Sequence, residues 1–404
     1  MSEASPSLTP QRERYLLLTL AGIQFSHILD FMIMMPLGPI LMRYFGMGTH
    51  EFGFLVAAYS FSAALSGLLA AVFVDKFERK RLLLSMFSLF GVATLACGFA
   101  PSYVTLLVAR GLAGAFGGVM GAMVQTMVGD LIPFERRARA SSVVMSAFSV
   151  STVAGVPLSL WLANLFDWRA PFILVAGLTV VFGGIGLAVL PELRHHIHQR
   201  AHPFSALFAV LRDANHLRAL LFSGLIIFSG FTVIPYITVY AVSNIGIPQA
   251  HIPLIYLAGG LATLFSARWI GRRADRIGKT IVYRQVAMLA FLPLLLITHI
   301  THATLAVWLV CTTIFFVMVS GRMIPAMAII TSAAEPKLRG TFMSLNACMQ
   351  QLASGLASSL AGFIVSQNAS GQIVGYNRVG YIALLANLLA IWFVGRITLH
   401  GQRA

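Results

Sequence analysis

Long stretches with almost no charge recur along the chain, and each is about as long as a helix that crosses a bilayer. Charge is absent or nearly so over 52–74, 170–190, 303–331 and 376–398, and a helix needs about 20 apolar residues to cross the hydrocarbon core. Only 10% of the residues are charged, against about 25% in a soluble domain. A water-soluble globule of 404 residues could not be covered by so little charge, so we expect the chain to lie in a membrane.

The apolar pattern predicts an all-α membrane protein with twelve spanning helices. Their ranges are 15–42, 52–74, 82–100, 103–131, 140–164, 170–190, 217–243, 250–271, 281–300, 303–331, 340–366 and 376–398. The first range is too long for a cleaved signal peptide and lacks a small-residue cleavage site. The three cysteines all lie in apolar stretches, which argues against a disulfide scaffold.

The basic residues are distributed very unevenly between the segments that join these spans. With the N-terminus in the cytoplasm, 23 of the 28 Lys and Arg fall in cytoplasmic segments, three fall outside, and Arg110 and Arg322 lie within spans. Because basic residues accumulate on the cytoplasmic side of membrane proteins, both termini are predicted to be cytoplasmic. The same bias explains the net charge of +15, so we expect no nucleic-acid partner.

The chain repeats itself with a period of 200 residues. Asp75 and Asp275 each follow a span and open a basic cluster, and Arg139 and Arg339 each precede the matching span of their half. Two parallel repeats of six spans are typical of transporters. The repeat predicts an N-terminal six-helix half over 1–190 and a C-terminal six-helix half over 217–404.

The basic segment 191–216 is predicted to link the two halves on the cytoplasmic side. From Pro203 to Leu217 its apolar and polar residues alternate at helical spacing, which predicts an amphipathic helix along the membrane surface. Four histidines fall between His195 and His202. No cysteine or acid joins them at a metal-ligand spacing, so a solvated basic loop is favoured over a metal site.

The loop after the eighth span reads GRRADRIGK from Gly271. It resembles the signature G-x-x-x-D-[RK]-x-G-[RK] of the major facilitator superfamily, with matches at Gly271, Asp275, Arg276 and Gly278. In that family the loop lies between the two halves and controls their opening, with its acid at a helix N-terminus and its bases paired across the gate. The alternative is an ordinary basic cytoplasmic loop.

The corresponding loop of the first half keeps the charges of this signature but not its glycines. Asp75, Lys76 and Arg79 are present, while Ala71 and Glu78 stand where the signature has Gly. The resemblance implies the same gating role for Asp75, Lys76 and Arg79. The two substitutions predict a different local geometry in this loop.

The fourth and fifth spans extend the resemblance to the efflux members of the superfamily. Arg110 is followed by glycines at four-residue steps, and the fifth span reads AGVPLS before a WRAPF loop. This is similar to the arabinose-efflux-permease-like group and to drug:proton antiporters, although Ser159 replaces the last glycine of their motif. We expect small residues of these spans to pack helices closely; they are Gly114, Gly118, Gly121, Gly155 and Pro157.

Asp30 is the one acid deep inside a predicted span. It lies 15 residues past Tyr15, about 22 Å along the helix and near the bilayer centre. In the superfamily, spans one, four, seven and ten line the central cavity, so Asp30 and Arg110 should face each other. We predict that Asp30 carries the coupling proton, with Arg110 as its counter-ion and His27 as a second proton or substrate group. A permanent ion pair with a packing histidine is the alternative.

Arg322 is the second buried base, and its span contains no acid. It predicts contact with an anionic or carbonyl-bearing substrate, or with a helix C-terminus at a gate. Further polar side chains lie on spans that are expected to line the cavity; they are Gln125, Tyr236, Tyr240, Asn346 and Gln350. Hydrogen bonding between helices is the alternative for each of them.

These observations predict a multi-pass transporter of a bacterial inner membrane that works by alternating access. We expect proton-coupled efflux, by antiport, of small amphipathic drug-like or sugar-like molecules. The chain is expected to be monomeric, without a cofactor, and driven by the proton gradient, because the sequence holds no P-loop. The alternatives are a proton symporter that imports a small organic solute, a membrane-embedded lipid enzyme, for which no nucleophile beside a base is present, and a sensor that does not transport.

Overall fold

The computed structural model describes residues 9–193, 203–335 and 338–399. Helices make up nearly all of these ranges, and the described strands are β1 (Ser366–Gln367) and β2 (Ile373–Val374), which pair antiparallel. The amphipathic helix predicted for the linker is present over Pro203–Arg212 and does not extend to Leu217. The histidines predicted to lie in a solvated loop, His195 to His202, fall outside the described residues.

Over the described residues 9–190, the N-terminal half contains eight α-helices. They are α1 (Pro10–Ile33), α2 (Gly38–Phe45), α3 (Thr49–Phe73), α4 (Arg79–Gly98), α5 (Tyr103–Leu131), α6 (Phe134–Val150), α7 (Val156–Leu165) and α8 (Ala170–Val189). The first predicted span is therefore two helices, because Pro36 and Pro39 cannot donate the backbone hydrogen bonds that would join them. The fifth is interrupted by a π-helical turn over Ser151–Gly155.

The linker helix and the C-terminal half follow. They are α9 (Pro203–Arg212), α10 (Ala214–Phe231), α11 (Ile234–Tyr240), α12 (Ile252–Ile277), α13 (Lys279–Leu289), α14 (Phe291–His299), α15 (Leu305–Ala333), α16 (Arg339–Ile364) and α17 (Tyr376–Val394). The seventh and ninth predicted spans are each divided, at Pro235 and before Pro293. α15 continues through Pro325 without a break.

Eleven helical segments among the described residues are long and apolar enough to cross a membrane. The predicted span 340–366 coincides with α16, but α16 is not one of these eleven. Its many polar and small residues, Asn346 and Gln350 among them, make it less apolar than the other spans. The count of twelve spans therefore stays a prediction.

The two halves are held together toward one end of the bundle. There α3 packs antiparallel to α16, α2 on α11 and α7 on α12. The Thr49 hydroxyl donates to the Val365 carbonyl at 2.6 Å, the Tyr236 hydroxyl to the Thr49 carbonyl at 2.8 Å, and the hydroxyls of Ser60 and Ser354 lie 3.3 Å apart. We call this the outer end, because the predicted topology places it outside the cytoplasm.

The opposite end carries the basic loops, and we call it the basic end. The hydrogen bonds that join the halves among the described residues lie between the outer end and the middle of α3. α3 and α16 also remain in contact closer to the basic end, where a Cβ atom on Gly67 would lie 3.6 Å from Cys348 Sγ. Large apolar side chains such as Phe265 (68% exposed) and Leu292 (66% exposed) lie on the outside of the bundle, as a lipid-facing surface requires.

Candidate functional site

The centre of the N-terminal half contains a fully buried ion pair between α1 and α5. A guanidinium nitrogen of Arg110, Nη1, donates to Asp30 Oδ2 at 2.7 Å, and both side chains are at most 1% exposed. The same nitrogen lies 3.4 Å from the Asp30 backbone carbonyl oxygen. The contact between Asp30 and Arg110 that the sequence predicts is thus present in the structure.

Tyr59 of α3 completes the cage around Arg110, and sequence analysis did not single it out. The guanidinium carbon of Arg110 lies 4.5 Å from the centre of the Tyr59 ring, a distance at which a cation is attracted to an aromatic face. The ring can come so close because α3 and α5 touch at glycines: a Cβ atom on Gly114 would overlap the Tyr59 backbone, and one on Gly118 the Ala63 backbone. In the sequence, the four-residue spacing of these glycines was the feature that could have indicated this close contact between α3 and α5.

Several polar atoms around the ion pair have no hydrogen-bond partner in the structure. They are both ring nitrogens of His27, Asp30 Oδ1, Tyr59 Oη and Arg110 Nε. A Cβ atom on Gly117 would lie 2.8 Å from His27 Nε2 and 2.7 Å from Tyr59 Oη, so these two polar atoms flank one point on α5. Buried polar atoms are rarely left unpaired. The arrangement therefore has unused capacity to bind a proton, a water molecule or a polar substrate group.

Arg322 is bound by neutral oxygen atoms inside the C-terminal half. It donates to Asn387 Oδ1 at 2.6 Å, to the Ile226 carbonyl at 3.0 Å and to Ser229 Oγ at 3.3 Å. Asn387 in turn donates to the Ala287 carbonyl at 2.8 Å. Arg322 thus ties α15 to α10 and α17, and the substrate contact or gate contact expected from the sequence stays a prediction.

Tyr236 and Tyr240 are packed against backbone carbonyls rather than a cavity. The Tyr236 hydroxyl bonds across the outer end to Thr49, and the Tyr240 hydroxyl donates to Ile300 at 2.9 Å, with its ring on Tyr376. Gln350 bonds to Ser223 Oγ at 2.9 Å and so joins α16 to α10. For these three residues the structure shows the interhelical hydrogen bonding that the sequence left as the alternative.

Gln125 and Asn346 remain the polar candidates for a cavity. Gln125 is exposed and bonds to the sulfur atom of Met145 at 3.7 Å. Asn346 is 2% exposed, and its Oδ1 has no partner. Both side chains therefore keep hydrogen-bonding groups that a substrate could use.

The first signature-like loop is organised by Glu78, one of the two residues that depart from the family pattern. Its carboxylate accepts from the backbone nitrogens of Lys80 and Arg81, both at 2.8 Å, and from that of Leu193 at 2.9 Å. Burial opposes ionisation of Glu78, but these backbone donors, together with the charge of Arg81, hold its pKa below the ordinary value. Glu78 thus caps α4 and attaches the start of the linker to it.

The charged residues of this loop pair within their own half. Arg79 donates to Asp130 Oδ2 at 3.2 Å and to the Val74 carbonyl at 3.3 Å. Lys76 is exposed, and the side chain of Asp75 lies outside what the structure describes. These two contacts of Arg79 lie within one half, and the pairing across the gate that the resemblance implies stays a prediction.

The second loop has a different backbone. Gly278 has a φ of 101° and joins α12 to α13, a conformation that residues with a side chain rarely adopt. Asp275 and Arg276 are exposed, and Gly271 is partly buried. Gly278 is therefore required in the second loop, where the signature is complete. The first loop has Glu78 at the corresponding position.

The other predicted packing residues are distributed over α5 and the fifth span. A Cβ atom on Gly155 would lie 2.8 Å from Leu29 of α1, while the nearest neighbour of one on Gly121 is His27 Cε1 at 3.9 Å. Pro157 is buried at the start of α7, directly after the π-helical turn. Gly155 therefore permits close packing, whereas Gly121 faces His27 across a small gap.

In the part of the chain that the structure describes, no three His, Cys, Asp or Glu side chains come together as a metal site would require. Cys97, Cys311 and Cys348 are each buried and free.

Comparison with known proteins supports one family and one fold. The model of the Major Facilitator Superfamily matches residues 20–358. The uncharacterized MFS-type transporter YceJ of Bacillus subtilis (strain 168) is 22% identical over 368 residues, which cover 87% of this chain and 90% of YceJ.

Two solved structures are similar over nearly their whole length. The first is a bacterial homolog of the human lysosomal transporter Spinster in an inward-facing and occupied conformation, with a TM-score of 0.75, 13% identity, and coverage of 97% of this chain and 98% of that one. The second is a mutant of the nucleoside transporter NupG, with a TM-score of 0.74, 11% identity, and coverage of 95% and 99%. At these identities the likeness concerns the fold.

Proposed function

Because the chain belongs to the Major Facilitator Superfamily, we propose that it is a proton-coupled secondary transporter in which Asp30 takes up and releases the coupling proton. It exports small amphipathic or sugar-like molecules from the cytoplasm of a bacterium by antiport across the inner membrane. Membership of a transporter family supports a transport role rather than an enzymatic one. The direction of transport, its coupling to protons and the class of substrate are parts of this proposal.

The buried pair of Asp30 and Arg110 carries this proposal. A single charge at the bilayer centre costs at least about 2.5–3.5 kcal/mol, so Asp30 is either paired or protonated. When Arg110 moves away, the carboxylate loses its counter-ion and gains a proton. When the 2.7 Å contact re-forms, the proton is released. Asp30 Oδ1, which has no partner, is the atom available to accept that proton.

The charge of the central residues favours neutral or cationic cargo. Arg110 is neutralised by Asp30, and Arg322 is fully buried and bound by oxygens of the protein itself. Neither guanidinium is therefore free to attract an anion. Gln125 and Asn346 supply amide groups suited to hydroxyl-bearing or weakly polar molecules.

Export is supported by the form of the fifth span. The AGVPLS and WRAPF sequences resemble those of efflux permeases. Import by symport uses the same fold, and the experiment below distinguishes the two directions.

The test measures proton movement in proteoliposomes that contain a pH-sensitive dye. Sugars, cationic dyes and amphipathic anions are added in turn to vesicles with the unmodified protein, D30N or the control D167N, whose carboxylate lies in a loop outside the spans. We expect one compound of the first two classes to drive opposite proton flux, with D30N losing this flux and D167N keeping it.

Other outcomes contradict defined parts of the proposal. Protons that move together with the compound would replace antiport by symport. Full coupled flux in D30N would show that the ion pair is structural and that the proton binds elsewhere. Coupling to an anion alone would overturn the argument about cargo charge.

A further inference from the structure

A groove separates α1 from α6 at the basic end of the N-terminal half. Its cavity has a volume of about 500 Å³, within the range of sites that hold small ligands. The residues that define its chemistry come from one face of each helix; they are Glu13, Arg14, Leu18, Arg136, Arg139 and Val143. Nothing in the transport mechanism uses this groove.

The charges of the groove are only partly compensated. Arg136 pairs with Glu13 at 2.6 Å. Arg14 and Arg139 are exposed and contact no carboxylate among the described residues. With three arginines and one glutamate in its lining, the groove has a net charge of +2 and two guanidinium groups available to an anion.

The polarity of the groove changes with depth in the membrane. The membrane-spanning segments begin at Pro10 and Arg139, so the free guanidinium groups lie at the level of the lipid headgroups. About one turn deeper the lining is apolar, with Leu17, Leu18 and Val143. A charged rim above an apolar wall matches a molecule with an anionic head and a hydrocarbon tail.

We propose that this groove is a binding site for an anionic phospholipid of the leaflet at the basic end. The phosphate binds between Arg14 and Arg139, and the first acyl carbons lie against Leu18 and Val143. A free phosphate would use the rim but not the apolar wall, so the wall favours a lipid. A bound lipid would bridge the ends of α1, which carries Asp30, and α6.

The test is lipid binding to the purified full-length protein in detergent, followed by native mass spectrometry. Phosphatidylglycerol is titrated, with phosphatidylcholine and soluble glycerol 3-phosphate as comparison ligands. The variants are R14Q/R139Q and the control R272Q/R273Q, which removes two arginines from the basic end of the other half. Each basic residue near a membrane surface contributes about 1 kcal/mol, so R14Q/R139Q is expected to weaken phosphatidylglycerol binding about 30-fold.

The expected result is selective binding of phosphatidylglycerol that R14Q/R139Q loses and R272Q/R273Q keeps. Equal binding by R14Q/R139Q and the unmodified protein would overturn the site. Equal loss in both variants would replace it with a diffuse attraction to the whole basic end. Equal binding of phosphatidylcholine, or displacement by glycerol 3-phosphate at the same concentration, would overturn the anionic phospholipid as the ligand.

Discussion

Gly117 shows how one missing side chain shapes the centre of the protein. An alanine Cβ at this position would lie 2.7 Å from both His27 Cδ2 and Tyr59 Oη, closer than such atoms pack. We predict that G117A displaces these side chains and costs about 1–3 kcal/mol of stability, as overpacking usually does. Proton-coupled flux should fall about tenfold if the displaced side chains raise the barrier of the slowest transport step by about 1.4 kcal/mol. Dye-loaded proteoliposomes measure the flux, and thermal unfolding measures the stability.

Gly121 provides the matched control one turn further along α5. A Cβ atom there would have His27 Cε1 as its nearest neighbour, at 3.9 Å, which is ordinary contact. G121A should therefore transport at nearly the rate of the unmodified protein. Equal losses in both variants would mean that helicity or lipid packing of α5, rather than the space around His27 and Tyr59, limits transport.

The sequence predicted the central residues better than their surroundings. Asp30 and Arg110 could be paired from sequence, because an isolated charge in a membrane requires a partner. Tyr59 could not be assigned to this site from the sequence, because a tyrosine in an apolar span is common. The contact between Gly114 and the Tyr59 backbone is known only from the structure. The oxygen ligands of Arg322 were also unpredictable, because Ser229 and Asn387 lie on helices far apart in sequence.

The two signature-like loops occupy equivalent positions in the two halves, but different residues determine their local structure. Glu78 accepts three backbone hydrogen bonds at the start of α4, whereas Gly278 provides a positive φ at the start of α13. The sequence shows that Glu78 replaces a glycine of the signature, but it does not show what Glu78 binds. One of the backbone donors to Glu78 belongs to Leu193, which is 115 residues away.

This cap predicts a pH-dependent contribution to stability. Because the pKa of Glu78 is lowered in the folded protein, its stabilisation is complete above the ordinary glutamate pKa and is lost as the pH falls through the lowered value. E78A should cost about 1 kcal/mol at neutral pH, a typical value for a lost cap. The difference from the unmodified protein should stay constant down to about pH 5 and shrink below about pH 4.3.

Thermal unfolding across this pH range, followed by circular dichroism of the helices, measures the effect. E78Q and E335Q form a matched pair, because both remove one carboxylate and Glu335 is exposed. Only E78Q should show the pH-dependent difference. A constant deficit down to pH 3 would mean that Glu78 acts through packing rather than through its charge.

At the scale of the whole molecule, the structure shows one arrangement of the two halves, whereas the proposed alternating access requires two. The positions of the elements follow from the apolar pattern and the charge, and the 200-residue repeat follows from the sequence alone. The contacts between the halves could not be predicted in the same way, because the proposed mechanism requires the same residues to support a second arrangement. These contacts include single hydrogen bonds, such as the one from Thr49 to Val365, which can break and re-form as the equilibrium between two arrangements shifts.

If transport requires the two halves to separate along α3 and α16, a covalent bond between these helices should stop transport. The hydroxyls of Ser60 and Ser354 lie 3.3 Å apart in this structure, so cysteines at both positions are close enough to form a disulfide. We predict that S60C/S354C, with Cys97, Cys311 and Cys348 replaced by serine or alanine, is cross-linked by a mild oxidant and loses substrate movement in proteoliposomes. A reducing agent should restore it, and the single variant S60C should not respond to either reagent. A cross-linked protein that still moves substrate would show that α3 and α16 stay together throughout the cycle, and that substrate leaves by a route other than separation of the two halves.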